Sequence, residues 1–216
     1  MISDFFLALL LSIIQGLTEF LPISSSAHLL LPSLLFGAKD FGIVFDISVH
    51  AGTLVAVIYY FKKEILGLLH AWLPWSTNRS EENFFLGLNL IVATLPIVLV
   101  GLLVSDLSES RSANINSIAY ANLVFAALLF AAYKSSSQSK SLAELTLFAA
   151  LIIGCFQALA VFPGASRSGM AITGALIIGL NIKDTSRFAF LLSIPTILGC
   201  LLYTSPSPRD RQKSRM

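Results

Sequence analysis

The chain has 216 residues, of which 56% are hydrophobic and only 12% are charged, and its formal net charge is +2. A mean hydropathy of +0.81 and several apolar runs of nearly spanning length exceed what the core of a soluble domain requires. The small net charge gives no indication of nucleic-acid binding. We therefore predict an all-α polytopic membrane protein.

Eight apolar segments, separated by polar connections, give the predicted helices in chain order. They cover residues 3–20, 26–36, 43–61, 84–104, 117–133, 144–162, 168–180 and 187–203. The second and seventh segments are too short to cross about 30 Å of hydrocarbon at roughly 1.5 Å per residue. We interpret them as the returning arms of two re-entrant hairpins. In an alternative topology, segments 3–20 and 144–162 each span the membrane outright.

The first hairpin carries an unusual polar stretch, QGLTEFLPISSSAH, over residues 15–28. Glu19 follows Gln15 by four residues and therefore lies on the same helical face. The serines and His28 follow a proline break, where the start of a new helix exposes backbone N–H groups. Ionisable groups within a membrane are costly and normally face a protein cavity, so the stretch predicts a functional site.

The same frame recurs in QALAVFPGASRSGM, which begins at residue 157, at a constant offset of 142 residues. The offset pairs Ser24 with Ser166 and replaces Ser25 with Arg167. Three predicted spans separate the hairpins, and an odd number makes the hairpins enter from opposite faces. We predict inverted repeats: repeat one at about 1–104, a linking span at 117–133, and repeat two at about 144–202. The hairpin tips, 21–27 and 163–168, are predicted to meet near the midplane.

The positive-inside rule gives a matching orientation. The predicted cytoplasmic side carries Lys62, Lys63, Arg79, Lys134, Lys140, Lys183 and Arg187. The predicted outer side carries Asp106, Glu109 and Arg111. In this orientation the first hairpin enters from outside and the second from the cytoplasm.

The residues at the two tips suit phosphoryl transfer. The segment PGASRSG places a guanidinium and several backbone amides at a helix start, where the helix dipole favours anions. A planar guanidinium also matches phosphate oxygens bidentately. The candidate catalytic residues are Glu19, Ser25, His28 and Arg167. The candidate phosphate-binding residues are Gln15, Ser24, Ser26, Gly164, Ser166, Ser168 and Gly169.

Each candidate also has a structural interpretation. Ser24 and Ser26 are preferred helix-capping residues whatever the function. His28 can be a satisfied histidine on a helix face, and Arg167 can be a counter-ion that neutralises Glu19.

Two further pairs of residues invite interpretation. Asp46 and His50 are spaced i, i+4, and we interpret them as a pore-mouth or surface pair, with metal binding as the minor alternative. Cys155 and Cys200 lie within apolar segments, which predicts reduced, buried thiols rather than a disulfide.

QGLTEFLPISSSAH and FPGASRSG resemble two motifs of the undecaprenyl-pyrophosphate phosphatase family, which is linked to bacitracin resistance. The resemblance runs from residue 1 to about 202. It implies a multi-pass enzyme of the bacterial plasma membrane that hydrolyses undecaprenyl diphosphate and so recycles the lipid carrier for cell-wall synthesis. It also implies re-entrant hairpins, six full spans and dependence on a divalent cation, Mg²⁺ or Ca²⁺, with Glu19 as the candidate ligand. The implied partners are a polyprenyl diphosphate lipid, the bilayer and, as an open possibility, a second copy of the chain.

Two departures from the family pattern affect what we expect. The first acidic position of the motif is Gln15 here, so only Glu19 can supply the carboxylate. After Leu202 the sequence turns into the polar stretch YTSPSPRDRQKSRM, where the family pattern has further spans. We expect residues 203–216 to be foreign to the fold, part of the C-terminal half to be missing, and the chain as written to be inactive or poorly folded.

A function of another class stays open at this stage. Inverted repeats with broken helices are also the plan of many transporters, so the chain could move a lipid-linked or anionic solute without chemistry. The serine, histidine and glutamate cluster favours an enzyme, because a transporter needs no nucleophile. A purely structural membrane subunit does not explain charged groups at two hairpin tips.

Overall fold

The structure is a computed structural model that describes residues 3–73, 75–76, 80–103 and 114–204. Its α-helices, in chain order, are α1 (Asp4–Thr18), α2 (Ser25–Phe36), α3 (Ile43–Tyr60), α4 (Lys62–Trp72), α5 (Glu81–Leu103), α6 (Ile115–Ser135), α7 (Leu147–Ala158), α8 (Arg167–Ile178) and α9 (Ile182–Thr204). Short 3₁₀ helices, Leu142–Glu144 and Leu159–Val161, flank α7. The all-α prediction is confirmed.

Helix lengths separate spans from re-entrant arms. Four described helices, α3, α5, α6 and α9, are long and apolar enough to cross a membrane, which confirms a polytopic membrane protein. Helices α1, α2, α7 and α8 have only 12 to 15 residues, or about 18 to 22 Å of helix. That is less than the thickness of the hydrocarbon core, so the re-entrant interpretation fits and outright spanning by these helices does not. Of the six spans implied by the family resemblance, the described residues contain four.

The two hairpins repeat each other residue by residue. Helix α8 begins and ends 142 residues after α2. Each helix has a serine N-cap whose side chain accepts a hydrogen bond from the backbone three residues on, Ser24 in the first repeat and Ser166 in the second. Each ends at a glycine in the left-handed region, Gly37 with φ 61° and Gly179 with φ 93°. Only glycine adopts that conformation without strain, so both repeats encode the same helix stop.

Helix α4 is not among the predicted helices. Its sequence, KKEILGLLHAW, begins with three charged residues, and the hydropathy pattern assigned it to a connection. Its apolar side chains Ile65, Leu68, Leu69 and Trp72 nevertheless follow the i, i+3, i+4, i+7 spacing of an amphipathic helix. The helix packs on α5, where Trp72 stacks on Phe84 with ring centroids 4.9 Å apart.

The core lies where α5, α7, α8 and α9 pack together. Small residues allow this close approach: a Cβ atom added at Gly154 in α7 would lie 2.4 Å from the Ala93 carbonyl oxygen of α5. Close backbone contact through small residues is the usual way in which membrane helices associate. The second hairpin is consequently well covered, since α5 packs on α7 and α6 packs on α8. Among the described elements, the main neighbours of the first hairpin's two arms are each other and α3.

The predicted meeting of the hairpin tips is confirmed. The Ser168 hydroxyl donates to the carbonyl oxygen of Leu21 at 2.8 Å, and the Ser166 hydroxyl lies 3.4 Å from the same oxygen. An ion pair between Arg187 of α9 and Glu64 of α4, at 2.9 Å, joins the two repeats at the predicted cytoplasmic end.

Some predictions fall outside the described residues, and one is wrong. The outer charges Asp106, Glu109 and Arg111, together with Arg79 and the polar tail from residue 205, lie outside the described ranges. The thiols of Cys155 and Cys200 are exposed rather than buried. Hydropathy cannot distinguish a side chain that faces lipid from one that faces other helices, because both environments are apolar.

We predict that cysteines introduced at Leu21 and Ser166 will be joined by a short bifunctional thiol reagent. Both native cysteines would first be replaced by serine, and the linked peptides would be identified by mass spectrometry. The matched control pair is Phe36 with Ser166, because Phe36 lies a full helix length, about 18 Å, from the tip of its hairpin. Equal linkage of both pairs, or linkage of neither in membrane-inserted protein, would contradict the contact between the tips.

Candidate active site

The start of α2 directs Ser25 toward Glu19. The Ser24 side chain caps the helix by accepting from the backbone N–H of Ala27 at 3.4 Å. Ser25 is then the first helical residue, and its hydroxyl donates to Glu19 Oε2 at 2.7 Å. The capping interpretation of Ser24 is confirmed, whereas Ser26 lies inside the helix with an exposed side chain.

The start of α8 directs Arg167 toward the same carboxylate. Ser166 caps α8 by accepting from the backbone N–H of Gly169 at 3.1 Å, which makes Arg167 the first helical residue. Gly164, just before the helix, has φ 95°, and a Cβ atom there would lie 2.7 Å from the Ile118 carbonyl oxygen. The turn therefore requires glycine both for its conformation and for its contact with α6.

The Glu19 carboxylate connects the two hairpins. Its Oε1 accepts from Arg167 Nη2 at 3.0 Å, and its Oε2 accepts from Ser25 Oγ and from Gln15 Nε2, each at 2.7 Å. The Glu19 side chain is only 5% exposed. A buried charge requires such compensation, and removing one partner of a buried pair typically costs about 3 to 5 kcal/mol. Arg167 is therefore positioned as the counter-ion of Glu19. This contact uses one of the five guanidinium N–H donors and leaves the others available to a ligand.

The sequence predicts a pore-mouth or surface position for His50 and Asp46, and both residues line a pocket. The sequence does not predict the contact of His50 with Glu19. His50 Nε2 lies 3.5 Å from Glu19 Oε2, and its Nδ1 lies 2.7 Å from the Asp46 backbone carbonyl oxygen. The i, i+4 pair with Asp46 exists, but through the backbone of the helix. A better signal was available: His50, Thr53, Leu54 and Val57 form one i, i+3, i+4, i+7 face, and the last three are buried.

His28 is placed differently from the prediction. Its Nδ1 lies 2.7 Å from the Ser24 carbonyl oxygen, one helical turn back, and the ring is half-buried. The structure thus brings His50, and not His28, next to Glu19. A catalytic role for His28 stays a prediction.

A pocket of about 270 Å³ opens beside these groups. Its polar lining includes Arg167, His50, Ser24, Ser26 and Asp46. Its apolar walls come from α2, α3, α6, α9 and the tip of the second hairpin, and include Leu29, Leu30, Ile43, Ile47, Ile118, Val161, Phe162 and Ile197. Such a combination accommodates a polar group attached to an apolar chain. Glu19 and Ser25 are buried beside the pocket rather than in its lining.

The predicted phosphate-binding residues divide into two groups. Ser24, Ser26 and Gly164 line the pocket. The others support the site: Gln15 is fully buried against Glu19, Ser168 donates to Leu21, and the Gly169 N–H is taken by Ser166. Of the several backbone amides predicted to bind an anion at the second tip, the capping serine takes one.

The described residues do not form a site for a resident metal ion. Within the described ranges, no group of three or more His, Cys, Asp or Glu side chains could hold one. The Glu19 oxygens already accept from three donors, one of them a cation. A divalent cation normally takes six or more oxygen ligands, and Gln15 Oε1 is the one buried oxygen beside Glu19 that has no partner in the described structure.

Comparison with known proteins identifies relatives of this chain. Residues 8–215 match the family model described as bacitracin resistance protein BacA. The undecaprenyl-diphosphatase of Saccharophagus degradans is 50% identical over 194 residues, which cover 90% of this chain and 73% of the relative. Those of Teredinibacter turnerae and Alcanivorax borkumensis are 47% and 48% identical, over 90% and 97% of this chain and 74% and 79% of their own lengths. The chain belongs to the bacitracin resistance protein BacA family.

Proposed function

We infer that this chain is an integral-membrane phosphatase that hydrolyses undecaprenyl diphosphate to undecaprenyl phosphate and inorganic phosphate. The observation that carries the inference is the Ser25–Glu19–Arg167 arrangement, which places a hydroxyl, a base and a guanidinium at the junction of two helix starts. The named activity of the relatives is the same. The reaction regenerates the carrier lipid for peptidoglycan synthesis and underlies bacitracin resistance.

The pocket gives the substrate an orientation. The diphosphate lies against Arg167 and the N-terminus of α2, where unpaired N–H groups and the helix dipole favour negative charge. The prenyl chain lies along the apolar walls. The pocket lies at one end of α3, α6 and α9. The distribution of charged residues assigns these ends of the helices to the outer side of the membrane. We propose that the protein resides in the bacterial inner membrane and receives the head group from the outer side.

The chemical step follows from the contacts of Ser25. Its hydroxyl turns into the pocket and forms a bond from Oγ to the terminal phosphorus, while its proton passes to Glu19. The bond from that phosphorus to the bridging oxygen breaks, and undecaprenyl phosphate leaves with the electron pair. Water then attacks the phosphoserine, the bond from phosphorus to Oγ breaks, and Ser25 regains a proton as phosphate leaves. Arg167 neutralises the charge that develops on the phosphoryl oxygens.

A transporter or flippase is the second candidate, and the inverted repeat favours it. The hydrogen bond between Ser25 and Glu19 argues for the enzyme, because binding an anion requires neither a base nor a nucleophile. The two candidates differ in a single measurement: only the enzyme releases phosphate from a prenyl diphosphate in detergent, where no membrane separates two compartments. The homodimer remains a prediction from the sequence.

We propose that the divalent cation reaches the site on the diphosphate of the substrate, because the described part of the chain offers no resident site. A chelator should then lower phosphate release by about tenfold or more, and Mg²⁺ or Ca²⁺ should restore it. Calorimetry on the substrate-free protein should detect no stoichiometric cation binding. Tight binding without substrate, or full activity in excess chelator, would contradict the proposal.

We predict that Arg167→Lys will lower phosphate release by about tenfold or more, because lysine keeps the charge but loses the bidentate fork. The matched control is Arg187→Lys, which alters the ion pair of Arg187 with Glu64 between the repeats, far along α9 from the pocket. Phosphate release from undecaprenyl diphosphate is measured for both variants and for the unmodified protein. Equal rates for Arg167→Lys and the control would remove Arg167 from the mechanism.

We predict that activity will rise by about tenfold or more when the chain is extended after Leu202 with the corresponding segment of the Saccharophagus relative. Helices α5 and α6 cover the second hairpin, but no described helix covers the first hairpin in the same way. The added segment would cover these faces of the first hairpin. Displacement of catalytic groups by about 1 Å can cost roughly a hundredfold in rate, so support of the hairpin matters. Deletion of residues 203–216 alone is the control and should change little. Equal activity with and without the extension would contradict this prediction.

A further inference from the structure

Two-step hydrolysis through Ser25 requires Glu19 to act as a base twice. No residue has so far been assigned the role of removing the first proton from Glu19. In the first step Glu19 receives the proton of the Ser25 hydroxyl. In the second step water must attack the phosphoserine, and water is a poor nucleophile unless a base takes its proton. Glu19 cannot act as that base while it still carries the first proton. A neighbouring group must therefore accept this proton between the steps.

The orientation of His50 makes it that acceptor. A carbonyl oxygen only accepts hydrogen bonds, so the 2.7 Å contact with the Asp46 carbonyl oxygen places a proton on His50 Nδ1. In the neutral ring the unprotonated nitrogen is then Nε2, the atom that lies 3.5 Å from Glu19 Oε2. Oε2 is also the oxygen that accepts from Ser25. Donor, base and acceptor thus meet at one carboxylate oxygen.

The surroundings of His50 give the proton a way out. The titratable and charged groups that face the ring are Glu19 from α1, Arg167 from α8 and Asp46 from its own helix, and Cys200 of α9 lines the same pocket. The His50 side chain is 13% exposed and lines the pocket, whereas the Glu19 side chain is 5% exposed and borders a separate cavity of about 10 Å³. A proton on Nε2 can pass directly to pocket water, whereas the cavity beside Glu19 has room for about one water molecule.

We propose that His50 is the positioning residue that takes the first proton from Glu19, so that Glu19 is free to activate water in the second step. This inference rests on the proposed phosphatase function. The proton moves from Ser25 Oγ to Glu19 Oε2 and on to His50 Nε2. Glu19 then takes a proton from the attacking water and returns it to Oγ as the bond from phosphorus to Oγ breaks. The His50 proton leaves into the pocket with the phosphate, and Ser25, Glu19 and His50 return to their starting protonation states.

The proposal separates the two chemical steps. Without His50 the first step still occurs, because Ser25 and Glu19 are intact, but the second step slows and the phosphoserine accumulates. A residue that merely packed against Glu19 would affect both steps together. The amount of phosphorylated Ser25 during turnover therefore distinguishes a proton acceptor from a structural partner.

The test uses His50→Gln and His50→Ala in the full chain and in the chain extended after Leu202. We expect kcat for phosphate release to fall by about a hundredfold with KM within about twofold, in the range typical of lost acid–base catalysis. Acid quenching followed by mass spectrometry should find phosphorylated Ser25 in both variants, together with a burst of undecaprenyl phosphate. Added imidazole should restore turnover in His50→Ala, where it can occupy the vacated space, and not in His50→Gln. His70→Gln, on the exposed face of α4, is the matched control and should behave as the unmodified protein.

The outcomes are separable. Unchanged turnover in His50→Gln, or slow turnover with neither phosphoserine nor imidazole rescue, would overturn the role of His50 while leaving the phosphatase intact. Absence of phosphate release from the unmodified protein in both backgrounds would instead reject the proposed function, and the inference with it. Phosphoserine accumulation with imidazole rescue supports the proposal.

Discussion

The structure depends on one buried carboxylate that neither repeat can satisfy alone. Glu19 comes from the first hairpin, its guanidinium partner from the second, and the remaining donors, Ser25 and Gln15, from either side of the first hairpin's break. In a membrane interior the alternative to this pairing is an unpaired charge in hydrocarbon, which costs several kcal/mol or more. The electrostatic requirement therefore holds the two tips together, and the same contact assembles the chemical groups. Stability and function are coupled at this point.

Broken helices at the midplane create a second requirement, because backbone groups there have no water to bond with. The serine caps and the carbonyl contacts of Ser168 satisfy part of this backbone from within the protein. The second hairpin also satisfies a backbone group of the first, since the Ser168 hydroxyl donates to the Leu21 carbonyl oxygen. The hydroxyl-rich composition of both motifs thus has a structural purpose beside a chemical one. Of the five serines in the two motifs, Ser25 is the one whose hydroxyl donates to the carboxylate.

Sequence patterns predicted most of the fold, because hydropathy and repeat spacing are local properties. They located eight of the nine α-helices in the described ranges, the hairpins and the contact between the tips. They missed α4, since its charged first turn hides an amphipathic face from a hydropathy average. They also missed the approach of His50 to Glu19 and misplaced both thiols. These last errors have one cause. The neighbouring helices determine which face of an apolar helix points inward, and the sequence pattern of that helix alone does not show which helices are its neighbours. Within the site, Glu19, Ser25 and Arg167 were predictable because polar residues in an apolar segment have few alternatives.

The repeat also shows how a symmetric scaffold produces an asymmetric site. The offset of 142 places Ser25 and Arg167 at equivalent first positions of α2 and α8, and it pairs Glu19 with Val161. Identical repeats would bring two carboxylates, or two guanidinium groups, together at the tips, where like charges repel and none could be neutralised within a dry interior. The second repeat has arginine where the first has serine, and valine where the first has glutamate, and these two differences turn that repulsion into attraction. The same exchange leaves a hydroxyl beside the carboxylate and a guanidinium opposite it. The charge complementarity that allows the two halves to fold against each other therefore also separates the proposed nucleophile and base from the guanidinium that we propose binds phosphate.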